Sequence, residues 1–417
     1  MIIFVGLLVF LAHFFVVAFE RTRVPDVLYL ILIGLVIGPV LGIARPDDFG
    51  KVGPIFTTVA LVIILFEAGL DLKLETLKTS LGGMALITVL SYFVALLLLS
   101  SAVFALTRLD ALSSLFVGAV LAGPAPAVII PLSRHLKLTD RTRTLFTLES
   151  SVGEALCIVI ALAFLELMRL GDIRVGRLIG TLLSSFIFAV IVGAIGGYVW
   201  SILLNRMREL RYAIFTTPAF VFILYGIAEF LGFSGPIAAL TCGILMGNAP
   251  FIRIPKRLRV TDLKPIQHNE TEKQFFAEIV FLVKTFFFVY LGLSFRFSDL
   301  RAIGVAFLLS LVLLIARLIA TQYSLDRSST PRSDASLAAV MIPKGTAAAV
   351  LAALPLQMSF AGGALIQNSV YGVIVLSILL TAILIPLIEK TPVGKLYGYL
   401  LPMYKIRPPE VEKSGKA

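Results

Sequence analysis

The sequence has little charge. Asp, Glu, Lys and Arg together make up 15% of its 417 residues, where a soluble domain of average make-up carries ~25%. So low a share excludes a disordered chain, and it leaves too little polar surface for an ordinary soluble enzyme. Cysteine is nearly absent. Cys157 and Cys242 both lie in apolar runs, which excludes a disulfide scaffold and any C-x-x-C zinc or redox motif. The three histidines, His13, His135 and His268, are too scattered for a metal cluster. No aspartate falls in the interior of an apolar run, and no histidine lies near the acids that do, so the constellations of an intramembrane enzyme are missing. Nothing resembles a carbonyl filter ring or a repeated pore loop, so nothing points to a channel.

What is abundant is apolar: 59% of residues are hydrophobic and the mean hydropathy is +0.99. This is the composition of an all-α polytopic membrane protein, and no cofactor is expected. A spanning helix takes ~20 mostly apolar residues, because ~30 Å of hydrocarbon is crossed at 1.5 Å per residue. Thirteen runs qualify: 2–19, 26–43, 53–70, 81–107, 111–133, 142–168, 178–204, 212–231, 233–249, 274–295, 302–323, 335–356 and 365–388. The first lacks a basic lead and a small-residue cleavage site, so it reads as a retained span. The net charge of +11 reads as topology rather than nucleic-acid binding. Odd-numbered loops and the tail hold 25 of the 36 Lys and Arg, even-numbered loops 8. The positive-inside rule then places the N-terminus outside and the C-terminus in the cytoplasm. The tail, 391–417, leaves no room for a nucleotide-binding or regulatory domain.

The spans repeat. Gly34 and Gly38 in the second run match Gly243 and Gly247 in the ninth, both as G-x-x-x-G. Gly69-Leu70 at the end of the third matches Gly292-Leu293 at the end of the tenth, and Pro126-Ala127-Val128 in the fifth matches Ala348-Ala349-Val350 in the twelfth. Each pair is seven spans apart, an odd number, so the halves run in opposite directions. Two of the matched runs are interrupted, the fifth at Gly123-Pro124-Ala125-Pro126 and the twelfth at Pro343-Lys344-Gly345-Thr346. Proline removes a donor and clashes with the preceding turn, and in lipid the freed backbone must find partners or line a wet cavity. Paired breaks point to an ion site built from half-helix ends, where Lys344 can offset the carbonyl termini.

Six charges lie mid-span: Glu67, Glu149 and Glu154 against Lys284, Arg317 and Lys344. Such groups are costly and by default mark function. Glu20, Glu166, Glu229 and Glu278 lie near span ends, where snorkelling to water accounts for them. Lys284 is ~15 Å by helical rise from either end of its run, too far for an easy snorkel. Glu149 and Glu154 are ~140° apart around a helix, whereas Ser150 and Glu154 share a face. A buried carboxylate with a hydroxyl above it suits a small hard cation, and such a carboxyl can hold a proton or a cation in competition. A plain ion pair between Glu154 and Lys284 is the structural alternative.

These residues resemble the monovalent cation:proton antiporter superfamily, which includes NhaP-type sodium/proton antiporters, eukaryotic sodium/hydrogen exchangers and Kef-type exchangers. The similarity runs through Arg23-Val24-Pro25, Ile37-Gly38-Pro39, Leu65 to Leu72, Glu149-Ser150 with Gly153-Glu154, Ala316-Arg317 and Pro343-Lys344-Gly345. The resemblance implies a thirteen-span antiporter fold of inverted repeats with two interrupted crossing helices. Residues 2–70 and 212–295 would form a scaffold that makes a homodimer, 81–168 and 302–388 a moving core, and 178–204 a linker helix. Glu154 would bind Na⁺ or a proton, with Ser150 and Gly153 beside it, and Glu149–Arg317 would be a structural ion pair. Arginine at that position goes with electroneutral exchange. Three departures stand out: Ala125 replaces an acid, Gly153 an asparagine and Glu154 an aspartate. The expected function is therefore Na⁺/H⁺ antiport by an elevator movement in the cell membrane. K⁺/H⁺ antiport is the alternative, and a transport-inactive pH-sensing relative the alternative of another class.

Overall fold

The computed structural model describes residues 6–15 except 8, 17, 26–45, 48, 52–72, 83–136, 138–170, 175–207, 216–248, 270–295, 300–325, 327, 330–391, 400, 401, 403 and 404. Every regular element among them is helical: α1 (Asp26–Leu35, continued by a wider π turn over Val36–Val40), α2 (Val52–Asp71), α3 (Gly83–Leu106), α4 (Ala111–Ala122), α5 (Pro126–Arg134), α6 (Asp140–Leu170), α7 (Val175–Met207), α8 (Thr216–Phe230), α9 (Gly235–Gly247), α10 (Glu270–Ser294), α11 (Leu300–Ser324), α12 (Arg332–Ala338), α13 (Thr346–Gln357) and α14 (Gly363–Lys390). Seven stretches are long and apolar enough to cross a membrane, and four shorter apolar helices accompany them. The chain is thus a multi-pass membrane protein. The fifth and twelfth runs are each divided, and the second division is longer than the sequence suggests, covering Ala339–Gly345.

Side-chain size decides how the helices meet. α1 lies on α10 and α2 on α9, and glycine allows both contacts. A Cβ on Gly34 would stand 2.9 Å from the Cα of Gly292, and one on Gly243 would stand 3.1 Å from the Cα of Gly69. Approach this close is open only to residues without a side chain. The two contacts use the same residue pairs in reversed order, at the offsets seen in the sequence. α9 also packs on α7, where the lone tryptophan, Trp200, donates its indole N–H to Thr217 Oγ1 of α8 at 2.9 Å. Its ring stacks on Phe220 with centroids 4.5 Å apart.

A second set of neighbours consists of α3 with α4 and α11, α6 with α4 and α5, and α14 with α11 and α13. α13 is buried on every side from Thr346 to Pro355, as expected for a helix of small apolar residues with no polar stripe. Large apolar side chains point outward instead, Phe104 and Phe230 among them. That inversion suits a lipid surround, because lipid imposes no cost on exposed hydrocarbon. Beyond α14 the chain returns to the end of α11. The Tyr404 hydroxyl donates to the Thr321 carbonyl at 2.7 Å and is also within 3.3 Å of Leu325 O. Arg332 Nε donates to Tyr404 O at 3.1 Å.

Candidate ion-binding site

The site begins with two broken helices. Asp110 caps α4 by accepting from the amides of Leu112 and Ser113. α4 ends at Ala122 because Pro124 and Pro126 cannot donate to the preceding turn. Pro126 then opens α5, where the missing N–H is harmless. The second break, between α12 and α13, meets the first head on: Ala125 N donates to Pro343 O at 3.0 Å. A Cβ on Gly345 would stand 2.7 Å from the Cβ of Ala125, so glycine permits the crossing.

Each break leaves the carbonyl end of a half-helix facing inward, with partial negative charge. Two basic side chains answer them. Lys344 Nζ donates to Gly123 O at 2.9 Å, at the end of α4. Arg317 Nε donates to Ala338 O at 2.9 Å, at the end of α12. The remaining fork of Arg317 grips Glu149: Nη2 reaches Oε2 at 2.9 Å and Nη1 contacts Oε1. The pair is nearly sealed, with side chains 11% and 9% exposed. A cavity of about 30 Å³ lies beside it, lined by Glu149, Arg317, Lys344, Gly153, Tyr92 and Ser91 among others. That is room for a water or two.

Glu154 does not line this cavity. It sits on α6 one and a third turns beyond Glu149, on the side toward α2 and α10. The charges that act on it are Lys284, Glu67 and Asp71. Among the described residues it makes no ion pair. Lys284 is bound instead to Glu67, at 2.5 Å, with side chains 25% and 24% exposed. The sequence could not choose between a free Glu154 and one paired to Lys284, and the structure pairs Lys284 elsewhere.

Ser150 is wholly buried, and its hydroxyl turns back on its own helix, donating to Phe146 O at 2.7 Å. Its proton is thereby committed to the helix backbone. Gly153 packs under the first break: a Cβ there would stand 2.8 Å from Pro124 Cδ. Absence of a side chain at Gly153 therefore goes with the close approach of α6 to Gly123-Pro124.

Of the acids near span ends, Glu278 is exposed, whereas Glu166 needs a correction. Glu166 is buried, not snorkelled into water, and Arg169 lies 3.9 Å from it and 3.8 Å from Glu229. Burial follows from its place on the inner side of α6, which the span boundary conceals. Glu229 also accepts from Gly235 N at 2.8 Å. Glu20 lies outside the described residues. Asp334 is a residue the sequence reading missed. It is wholly buried and accepts both the amide and the hydroxyl of Thr139 at 2.9 Å, joining the start of α6 to α12. Its one visible signal is an acid at the head of an apolar run.

The chain matches the family described as sodium/hydrogen exchanger, transmembrane, over residues 6–391. It is 24% identical over 292 residues to Na(+)/H(+) antiporter 1 of Methanocaldococcus jannaschii, covering 68% of this chain and 65% of that protein. It is 24% identical over 270 residues to the K(+)/H(+) antiporter NhaP of Alkalimonas amylolytica, covering 63% and 46%. The matches thus span about two thirds or less of these relatives' lengths. The solved structure of the sodium proton antiporter MjNhaP1 from M. jannaschii at pH 8 aligns with a TM-score of 0.68 at 21% identity, over 91% of this chain and 98% of that one. At that identity the likeness is one of fold.

Proposed function

The chain belongs to the sodium/hydrogen exchanger transmembrane family, and within it we propose a proton-coupled monovalent cation antiporter with Glu154 as the shared carrier. One observation carries this reading. Of the three mid-span acids, Glu67 and Glu149 each hold a basic partner, and Glu154 holds none among the described residues. An unpaired carboxylate between low-dielectric walls must be neutralised by a proton or a cation. That competition couples the two fluxes. Arg317 keeps its charge at every working pH, so it offers no second exchangeable proton. One proton exchanged for one cation, an electroneutral cycle, follows.

The proposal includes thirteen spans in inverted halves. The mirrored glycine contacts of α1–α10 and α2–α9, and the two breaks meeting at Ala125 and Pro343, support it. In this scheme α3 to α6 and α11 to α14 move as a core against a scaffold of α1, α2 and α8 to α10, with α7 as linker. The scaffold forms the homodimer, and the C-terminus lies in the cytoplasm of a cell-membrane protein. Sodium is the favoured ion, with oxygen ligands from Glu154 and Ser150. Potassium is a second reading, favoured by the relative named for K⁺/H⁺ exchange.

The test is dye-reported proton flux in proteoliposomes on addition of Na⁺, K⁺ or Li⁺. Flux that depends on the cation and vanishes in a folded Glu154→Gln variant is expected. Flux that survives in that variant would remove Glu154 from the carrier role.

A further inference from the structure

Lys284 is left over once the antiport reading is drawn. It comes from α10, Glu67 from α2, and the two helices pack together. Its pair differs from Glu149–Arg317 in one physical respect. A quarter of each side chain is open, so water can stabilise both groups while they part. A sealed fork such as Arg317 on Glu149 has no such route.

Among the described residues, the charges that act on Glu154 are Glu67 and Asp71 of α2 and Lys284 of α10, with the thiol of Cys157 one turn along α6. When Glu154 carries a proton or a metal cation, the Lys284–Glu67 pair is balanced and exerts little pull. When Glu154 is ionised and empty, this patch holds three carboxylates, Glu154, Glu67 and Asp71, against the one ammonium of Lys284. Among the described residues, Lys284 is the ammonium that acts on Glu154 and can answer it, on a flexible four-carbon stem. It is rooted in α10, so a contact with Glu154 ties α6 to the wall it must leave.

We propose that Lys284 is a coupling latch, a tethered cation that exchanges Glu67 for an ionised, empty Glu154 and so prevents the unloaded carrier from crossing. The inference rests on the antiport reading. Its consequence is tightness. Without the latch, an empty Glu154 crosses one way and a protonated one returns, which is net proton leak without any cation.

The experiment measures decay of an imposed pH gradient in proteoliposomes free of Na⁺, K⁺ and Li⁺, with thiocyanate to balance charge, and then the half-saturating cation concentration. Lys284→Met is expected to leak at least tenfold faster than wild type, and Lys284→Arg to restore tightness. Glu67→Gln leaves Lys284 free to hold Glu154, so it is expected to stay tight with a several-fold higher half-saturating concentration. The deciding variant is Glu67→Gln/Lys284→Met, which removes both charges of the pair and strands neither, so it keeps the test open should Lys284→Met alone fail to fold. It leaks if Lys284 is a latch, and adding Glu154→Gln stops that leak. A tight double variant would reduce Lys284 to a neutraliser of Glu67 and overturn the proposal, as would a leak that persists without Glu154. A wild type with no cation-driven flux would instead defeat the antiport reading, and the latch with it.

Discussion

The most exacting prediction concerns Arg317. Its side chain satisfies Glu149 with two N–H groups and the end of α12 with a third. Truncation to alanine leaves a carboxylate about nine-tenths buried without a partner, which costs about 3–5 kcal/mol. The orphaned Ala338 carbonyl adds about 1 kcal/mol. Glu149→Ala strands the guanidinium instead and costs a similar amount, but spares Ala338. The double variant Glu149→Leu/Arg317→Met removes both charges and keeps volume, so it should recover all but the ~1 kcal/mol owed to Ala338. Arg317→Lys keeps charge but loses the fork, and falls between. The assay is detergent-solubilised protein heated in steps, with the folded fraction read by size exclusion. Single variants that melt with wild type, or a double variant that melts as low as both losses added together, would refute a coupled buried pair.

Other expectations follow from packing and capping. Gly34→Ala and Gly243→Ala meet equivalent backbone and should destabilise by about the same 1–3 kcal/mol; clearly unequal losses in thermal melts would argue against mirrored halves. Tyr404→Phe removes the hydroxyl bound to the end of α11 and should cost about 1 kcal/mol, read as a lower melting temperature with unchanged helix content. Asp110→Ala should cost about 1 kcal/mol as a lost N-cap. Burial pushes the Asp110 carboxyl up, but hydrogen bonds from Ser113 and Leu112 more than offset it and hold the group below the ordinary aspartate value. The cap's contribution is therefore full at neutral pH and fades as pH falls through the lowered value, so wild type and Asp110→Ala should converge in acid melts.

Sequence made some of this legible and hid the rest for physical reasons. The helix breaks could be read because proline and glycine act locally, through missing donors and missing side chains. The six mid-span charges stood out because lipid makes charge conspicuous. Their partners are harder to read: Arg317 on Glu149 is expected only through the family resemblance, and Lys284 on Glu67 not at all, since each pair joins residues far apart in the chain. Ser150 and Glu154 do share a helix face, but helical phase says nothing about a hydroxyl's preference for the carbonyl of Phe146. Glu166 lies near a span end, where water is the expected surround, whereas its helix face is turned inward. Asp334 and Tyr404 were invisible as ties because each acts on a distant helix end.

The position of Trp200 has a spectroscopic consequence. The protein's whole indole emission arises at one site, held by Thr217 and Phe220 between α7 and α8. If the core slides while those helices stay fixed, native fluorescence will remain constant through a transport cycle. A second indole placed on α6 or α13 would then report the movement against an internal reference that the protein already carries.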